Sequence, residues 1–228
     1  MMSIVIPTLN EEDNIAILIP YLQKCGAGKG AEIIVADGGS TDRTRENAAA
    51  LGVKVIKSER KSRAIQMNVG ASAAQFNIIY FIHADSFPPP TFYTDIVKAV
   101  NEGYGMGRYR TKFKGNNWLL KLNAFFTRFD WFVCYGGDQT LFITVPLFKK
   151  MGGYNEALLI MEEYDLVHRA KPHTKYKIFP ATALISTRKY ETISWLQVQR
   201  ANYKVVQLYR KGVPQKELIE TYRHALRK

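Results

Sequence analysis

The sequence predicts an α/β fold, a mostly parallel sheet flanked by helices and finished by C-terminal helices. Three observations predict it. Short runs rich in Ile and Val alternate with stretches of helical periodicity through the first half of the chain. These runs are solidly apolar, as in strands buried on both faces. Several stop abruptly on polar or acidic residues, at the sheet edge where parallel folds bind ligands. With 228 residues, 46% of them hydrophobic, the chain can bury a sizeable core. The expected organisation is a catalytic unit over 1–190 and a basic helical extension over 191–228, packed on or near it.

The elements follow in order. Residues 3–7 read as a strand and 10–26 as a helix, with Asn10 as N-cap, acids in the first turn and a bend at Pro20. Residues 31–37 form a second strand. The helix after it is capped by Ser40 or Thr41 and closed by Gly52. Residues 53–58 are a third strand, 61–74 a third helix, and 77–85 a fourth strand. Beyond Asp85 the pattern loosens. A Pro-rich loop leads into a helix from about Thr91, and 116–132 reads as an amphipathic, aromatic helix. A turn at "YGGDQ" precedes a strand, and "MEEYDLVHRA" opens a helix. A late strand lies in 183–190, followed by helices over 191–211 and 215–226.

Charge is uneven. The net +12 resides almost wholly in 166–228, with 14 Lys/Arg against 3 Glu. A basic patch of this kind attracts phosphates, as nucleotide, nucleic acid or anionic lipid. Cys25 and Cys134 lie far apart in no metal-like spacing and read as reduced thiols of a cytoplasmic protein. The first residues lack the pattern of a signal peptide. No apolar window is long enough to predict a spanning helix.

Several side chains fall where chemistry is expected. Asp37 ends the second strand and opens "DGGSTD", whose glycines let backbone amides approach a ligand; the same pattern also serves an ordinary strand-to-helix turn. Asp85 closes "IIYFIHAD". A dry, unpaired acid there is costly, and beside Asp37 it reads as a ligand for a divalent cation. His83, two residues back on the same side of the strand, reaches the same cation, a ribose hydroxyl, or only a core hydrogen bond. Glu162, Glu163 and Asp165 form either a solvated first turn or the source of a general base. Asp138 and Gln139 sit on a turn beside the site.

Taken together, "IVIPTLNEEDNI", "IIVADGGSTDRT", "FIHAD" and "GGYNEALLIMEEYDL" resemble family 2 glycosyltransferases with a GT-A, Rossmann-like fold. "SRAIQMNVGA", "GGDQ", "STRKYE" and "LYRKGVPQKELIETYR" resemble a branch of small bacterial members, and the resemblance covers nearly the whole chain. It implies an inverting, metal-assisted transfer of a sugar from a nucleotide sugar, expected to be a UDP-sugar, to an acceptor hydroxyl, with Mg²⁺ or Mn²⁺ as cofactor. Pro7, Thr8 and Glu11 resemble the first nucleotide-contacting loop, and Asp37 the acid that meets the base. Arg63, Gln66 and Asn68 lie where the family surrounds the nucleotide and sugar. His83, Ala84 and Asp85 occupy the Asp-x-Asp position, with His83 replacing the first acid. Glu162 and Glu163 occupy the Glu-Asp position, whose second member is the base, so Glu163 is the matching residue and Glu162 its rival. Arg188 and Lys189 are expected near the diphosphate.

The alternatives are a nucleotidyltransferase, although "PTLNEEDN" lacks a Gly-rich loop and Lys, and a catalytically impaired nucleotide-sugar-binding protein. No G-x-G-x-x-G follows the first strand, which excludes a dinucleotide-dependent dehydrogenase. Nucleic-acid binding leaves Asp37, Asp85 and Glu163 unexplained. The apolar face of Trp118, Leu119, Leu122, Phe125, Phe126, Phe129 and Phe132, flanked by Lys121 and Arg128, either packs on the core or meets an anionic membrane. The second reading suits a lipid or lipid-linked acceptor at the inner membrane face.

Overall fold

In the computed structural model, residues 1–26, 30–135 and 139–226 are described. In the first half, β1 (Met2–Thr8), β2 (Ala31–Asp37), β3 (Lys54–Lys57) and β4 (Ile78–Phe81) are separated by α1 (Glu12–Gly26), α2 (Thr44–Ala50) and α3 (Arg63–Ser72). Then follow β5 (Ser86–Phe87), α4 (Phe92–Asn101), β6 (Tyr104–Phe113), α5 (Trp118–Phe126), β7 (Leu141–Thr144) and α6 (Val145–Lys150). The chain closes with α7 (Glu162–Ala170), β8 (Lys175–Ile185), α8 (Lys189–Thr192), α9 (Trp195–Arg210) and α10 (Gln215–Leu226). The strands form one sheet in the order β3-β2-β1-β4-β7-β6-β8-β5.

The first four strands pair in parallel, as the strand–helix alternation requires. β7 then inserts antiparallel between β4 and β6, while β6 and β8 run parallel. β1 is buried along its whole length. Its Ile4 and Ile6 pack on one side with Ile15, Leu18 and Ile96. Its Val5 packs on the other with Ala64, Met67 and Leu166. Successive side chains of a strand point to opposite faces, so one solidly apolar run feeds both layers.

Several expected boundaries move. β4 ends at Phe81, so His83 and Asp85 lie in the following turn rather than on the strand. Asn10 does not cap α1. It adopts a left-handed φ of 56°, which Asn tolerates, and its side chain accepts from the Thr41 amide. Neither Ser40 nor Thr41 caps α2; Asp42 bonds the amide of Thr44, where that helix begins. α5 is shorter than the helix expected over 116–132, and the late strand runs earlier, as β8. Pro20 is carried inside α1.

β6 had no sequence signal. "YGMGRYRTKF" carries three cationic side chains, a pattern that argues against a buried strand. Arg108 nevertheless sits 1% exposed, because its guanidinium donates to the carbonyls of Thr127 at 2.6 Å and Phe129 at 3.0 Å. Buried charge is tolerated when hydrogen-bonded in this way. The C-terminal helices do not stand apart: Val205, Val206 and Leu218 pack with Met161 at the start of α7. Among the described residues no helix is long and apolar enough to cross a membrane.

Gly107 shows how tightly β6 and β8 approach. A Cβ there would lie 2.3 Å from the Lys177 carbonyl oxygen, and backbone cannot yield as a flexible side chain can. Gly107→Ala is expected to cost about 3 kcal/mol, lowering the melting temperature by roughly 6–12 °C for a chain of this size. An unchanged melting curve would contradict this packing.

Candidate active site

The loops after β1 and β2 are stitched into one floor. The Gly38 amide donates to the Thr8 carbonyl at 2.8 Å. The Asn10 amide donates to Ser40 Oγ at 2.9 Å. Asp37 is fully buried and accepts from the amides of Gly39 and Ser40, each at 3.0 Å, and from the Ser40 hydroxyl. Arg45 adds a cation at 3.8 Å. The carboxylate thus holds the turn that faces the ligand edge. Pro7 and Thr8 are buried at the end of β1. Gln66 reaches across from α3, its Nε2 donating to the carbonyls of Thr8 at 2.7 Å and Ala36 at 2.9 Å. Gln66 therefore ties two strand ends together.

After β4 the chain turns at once. The Ser86 amide donates to the His83 carbonyl at 3.0 Å, which puts Ala84 and Asp85 at the tip of a tight turn. His83 Nε2 lies 2.9 Å from Glu163 Oε1. The sequence position matching an acid of Asp-x-Asp is thus in contact with the residue matching the base. Among the described residues no three His, Cys, Asp or Glu side chains converge to cage a metal. A single carboxylate on a turn fits an ion of the Mg²⁺ type, which takes one or two protein oxygens and completes its shell with phosphate and water.

α7 brings two adjacent carboxylates into the site, Glu162 at 4% and Glu163 at 6% exposure. The helix N-terminus favours negative charge. Met161, just before, holds a left-handed φ of 70°, a strained state for a non-glycine residue of the kind found at functional sites. Asn68 fixes the approach. It accepts from the Tyr154 amide at 2.9 Å and donates to the Tyr154 carbonyl at 2.9 Å and to Glu156 Oε1 at 3.0 Å. Arg63 Nη1 stands 3.4 Å from Glu162 Oε1. Burial pushes the Glu162 carboxyl above its ordinary value, with Arg63 opposing and Glu163 adding to the rise. Asp165 faces away and pairs with Arg169 at 2.6 Å.

The C-terminal segment closes the other side. Arg188 Nη2 reaches Glu11 Oε1 at 3.4 Å, joining "STRKYE" to the first loop. Lys189 donates to the Tyr222 hydroxyl. Between α5, α7 and α9 lies a cavity of about 1000 Å³ whose walls include Arg63, Gln139, Glu162, Glu163 and Lys189. Asp138 falls outside the described residues. Contacts thus link His83 with Glu163, Arg63 with Glu162, and Glu11 with Arg188, while Gln66 and Asn68 are engaged by the protein's own backbone. Sequence reasoning missed Met161, Trp195 and Gln199. The four-residue spacing of the last two was visible, but not which way their helix faces.

Residues 3–151 match the family model described as Glycosyl transferase family 2. Glucosyl-3-phosphoglycerate synthase of Mycolicibacterium paratuberculosis is 31% identical over 113 residues, 46% of this chain and 34% of that protein. Dolichol-phosphate mannosyltransferase of Pyrococcus furiosus is 31% identical over 124 residues, 51% of this chain and 35% of that protein. The match therefore spans about a third of these relatives. The crystal structure of glucosyl-3-phosphoglycerate synthase from Mycobacterium tuberculosis in complex with Mn²⁺, UDP and glucosyl-3-phosphoglycerate superposes with a TM-score of 0.64 at 21% identity, covering 94% of this chain and 81% of that one. This likeness establishes the shared GT-A fold.

The Arg63–Glu162 pair makes a pH-dependent prediction. A raised folded-state pKa means that Glu162 keeps its proton to higher pH in the folded chain than in the unfolded one. Its contribution to stability therefore falls as pH rises from the unfolded carboxylate value, about 4.3, toward the folded one. Arg63→Met removes the opposing charge, so its melting-temperature deficit against the native chain should widen between about pH 4 and pH 7. A deficit constant over that range would show that the pair does not set this carboxyl.

Proposed function

Because the chain belongs to glycosyl transferase family 2, we propose that it transfers a sugar from a nucleotide-sugar donor to an acceptor hydroxyl with inversion at the anomeric carbon. The observation that carries this reading is Glu163: a buried carboxylate at a helix N-terminus, 2.9 Å from His83 and lining the cavity. In this reading Glu163 takes the acceptor hydroxyl's proton as the oxygen attacks the anomeric carbon. The bond from that carbon to the diphosphate breaks in the same displacement, and the nucleoside diphosphate leaves. Glu162, charge-paired with Arg63, shapes the field around the base.

The donor's nucleoside lies over the floor built by Pro7, Thr8, Glu11 and Asp37, whose turn Gln66 braces. Asn68 sets the loop leading to α7. Arg63, Arg188 and Lys189 supply cationic groups toward the diphosphate, with Gln139 beside the acceptor. Asp85, with His83 and Ala84 in its turn, would hold a Mg²⁺ or Mn²⁺ ion, which when bound supplies positive charge to the leaving diphosphate. A UDP-sugar is the first donor to test, in keeping with the UDP and Mn²⁺ of the mycobacterial synthase structure. The acceptor is a lipid or lipid-linked alcohol, met at the inner face of an anionic membrane. Trp118 is 69% exposed and Phe125 44%, the 166–228 segment is strongly basic, and one relative is named for dolichol phosphate.

The deciding experiment screens hydrolysis and binding of UDP-, GDP- and dTDP-sugars with Mg²⁺ and Mn²⁺. Glu163→Gln should bind the active donor normally and lose turnover by at least about 100-fold, with Glu162→Gln less affected. Asp85→Ala should abolish the metal dependence of nucleotide binding. If no donor is bound with either ion, the proposal falls; if Glu162→Gln alone is inactive, the base is Glu162.

The membrane part is checked separately by co-sedimentation. Vesicles of phosphatidylglycerol should retain the protein at low salt and release it at high salt, while phosphatidylcholine vesicles should not. Equal binding to both, or to neither, would remove it.

A further inference from the structure

The cavity between α5 and α9 is larger and more apolar than a sugar hydroxyl needs. At about 1000 Å³ it reaches the upper end of small-molecule sites. Its floor carries the buried Glu162 and Glu163. Toward the mouth the lining becomes apolar. Among the described residues twelve large hydrophobic side chains are exposed, and six of them line this one cavity: Leu122, Phe126, Trp131, Val133, Leu159 and Tyr203. Clustering of that kind marks an interaction site, whereas scattered exposed residues need no explanation.

A second observation comes from α9. Trp195 and Gln199 lie one helical turn apart and both line the cavity. Among the described residues, the buried Trp195 Nε1 and Gln199 Nε2 find no hydrogen-bond partner, nor does Gln139 Oε1 across the cavity. Buried polar atoms are nearly always satisfied, so two donors and an acceptor left open around one space point to polar atoms of a missing occupant.

Resting on the glycosyl-transfer reading for its reacting end, we propose that this cavity is the acceptor site and that the acceptor is a single-chain amphiphile. Its hydroxyl meets Glu163, the polar atoms next to it meet Trp195, Gln199 and Gln139, and its apolar chain runs out between Phe126, Leu122 and Trp131. A water-soluble sugar acceptor would leave this apolar lining without a partner. The exposed Trp118 and Phe125 continue the apolar band beyond the cavity, and Arg128, stacked 3.8 Å over the Phe125 ring, adds positive charge at its rim. The chain therefore leads from the floor toward a surface suited to an anionic bilayer.

Two of the three tryptophans, Trp131 and Trp195, line the cavity and report on it directly. The full chain is titrated with ω-bromo primary alcohols of six, nine and twelve carbons, below their aggregation concentrations, and tryptophan quenching is read. Saturable quenching is expected, with the dissociation constant falling roughly three- to fourfold per added methylene. Phe126→Glu and Leu122→Glu, both at partly exposed positions, should weaken binding of the twelve-carbon alcohol at least about tenfold and leave the dissociation constant of UDP with Mn²⁺ unchanged. Absent or unsaturable quenching, affinity independent of chain length, or variants that bind like the native chain would each overturn the proposal. A native chain that binds UDP but none of the alcohols defeats the cavity assignment alone. Amphiphile binding with no nucleotide binding defeats the transfer reading and leaves the apolar site standing.

Discussion

Two neighbouring carboxylates buried at the start of one helix constrain much of the rest of this molecule. Left unpaired, Glu162 and Glu163 would each carry a heavy desolvation cost. The fold brings one partner to each from a different element, Arg63 from α3 and His83 from the turn after β4. The α7 N-terminus contributes its dipole. To hold that helix end, Asn68 locks the preceding loop by a reciprocal pair of bonds with Tyr154, and Met161 accepts a left-handed backbone. The C-terminal helices then cover Met161 with Val205, Val206 and Leu218. Each feature is costly or unremarkable alone, and together they fix two acids in one place.

The second constraint is the buried arginine of β6. Arg108 is held by carbonyls of the turn that follows α5, which accept from both its Nη groups, while the Thr127 hydroxyl accepts the Thr111 amide at 2.9 Å. The end of α5 is therefore anchored to the sheet through its backbone and needs little side-chain burial; Leu120 is its one buried side chain. That arrangement lets the aromatic residues of α5 remain on the cavity side and at the surface. An anchored helix with an unburied apolar face suits contact with an apolar ligand better than a role in the core.

The Arg188–Glu11 contact on the far side is weaker because it is exposed. The Arg188 side chain is 63% exposed while pairing with Glu11, and such pairs contribute under about 1 kcal/mol. A guanidinium held so lightly exchanges partners readily, in keeping with a proposed contact to a diphosphate. Asp37, by contrast, is fully buried among bonds to its own loop, so it serves as a fixed part of the floor.

What the sequence determined by itself was the first half of the sheet and the positions of the candidate acids. Solid apolar runs such as 3–7 and 31–37 are read locally, because burial on both faces leaves its mark on every residue of the strand. Glu162 and Glu163 were visible by pattern, as was the apolar face of α5. Tertiary structure alone decided the rest. β6 was hidden because Arg108 depends on carbonyls about 20 residues away. Gln66 and Asn68 turned inward to backbone groups of other elements. That His83 meets Glu163, 80 residues on, and that α5 and α9 enclose one cavity, follow from how the layers pack. Local propensity carries no record of which distant group will satisfy a buried charge, and it is that long-range satisfaction that assembles this site.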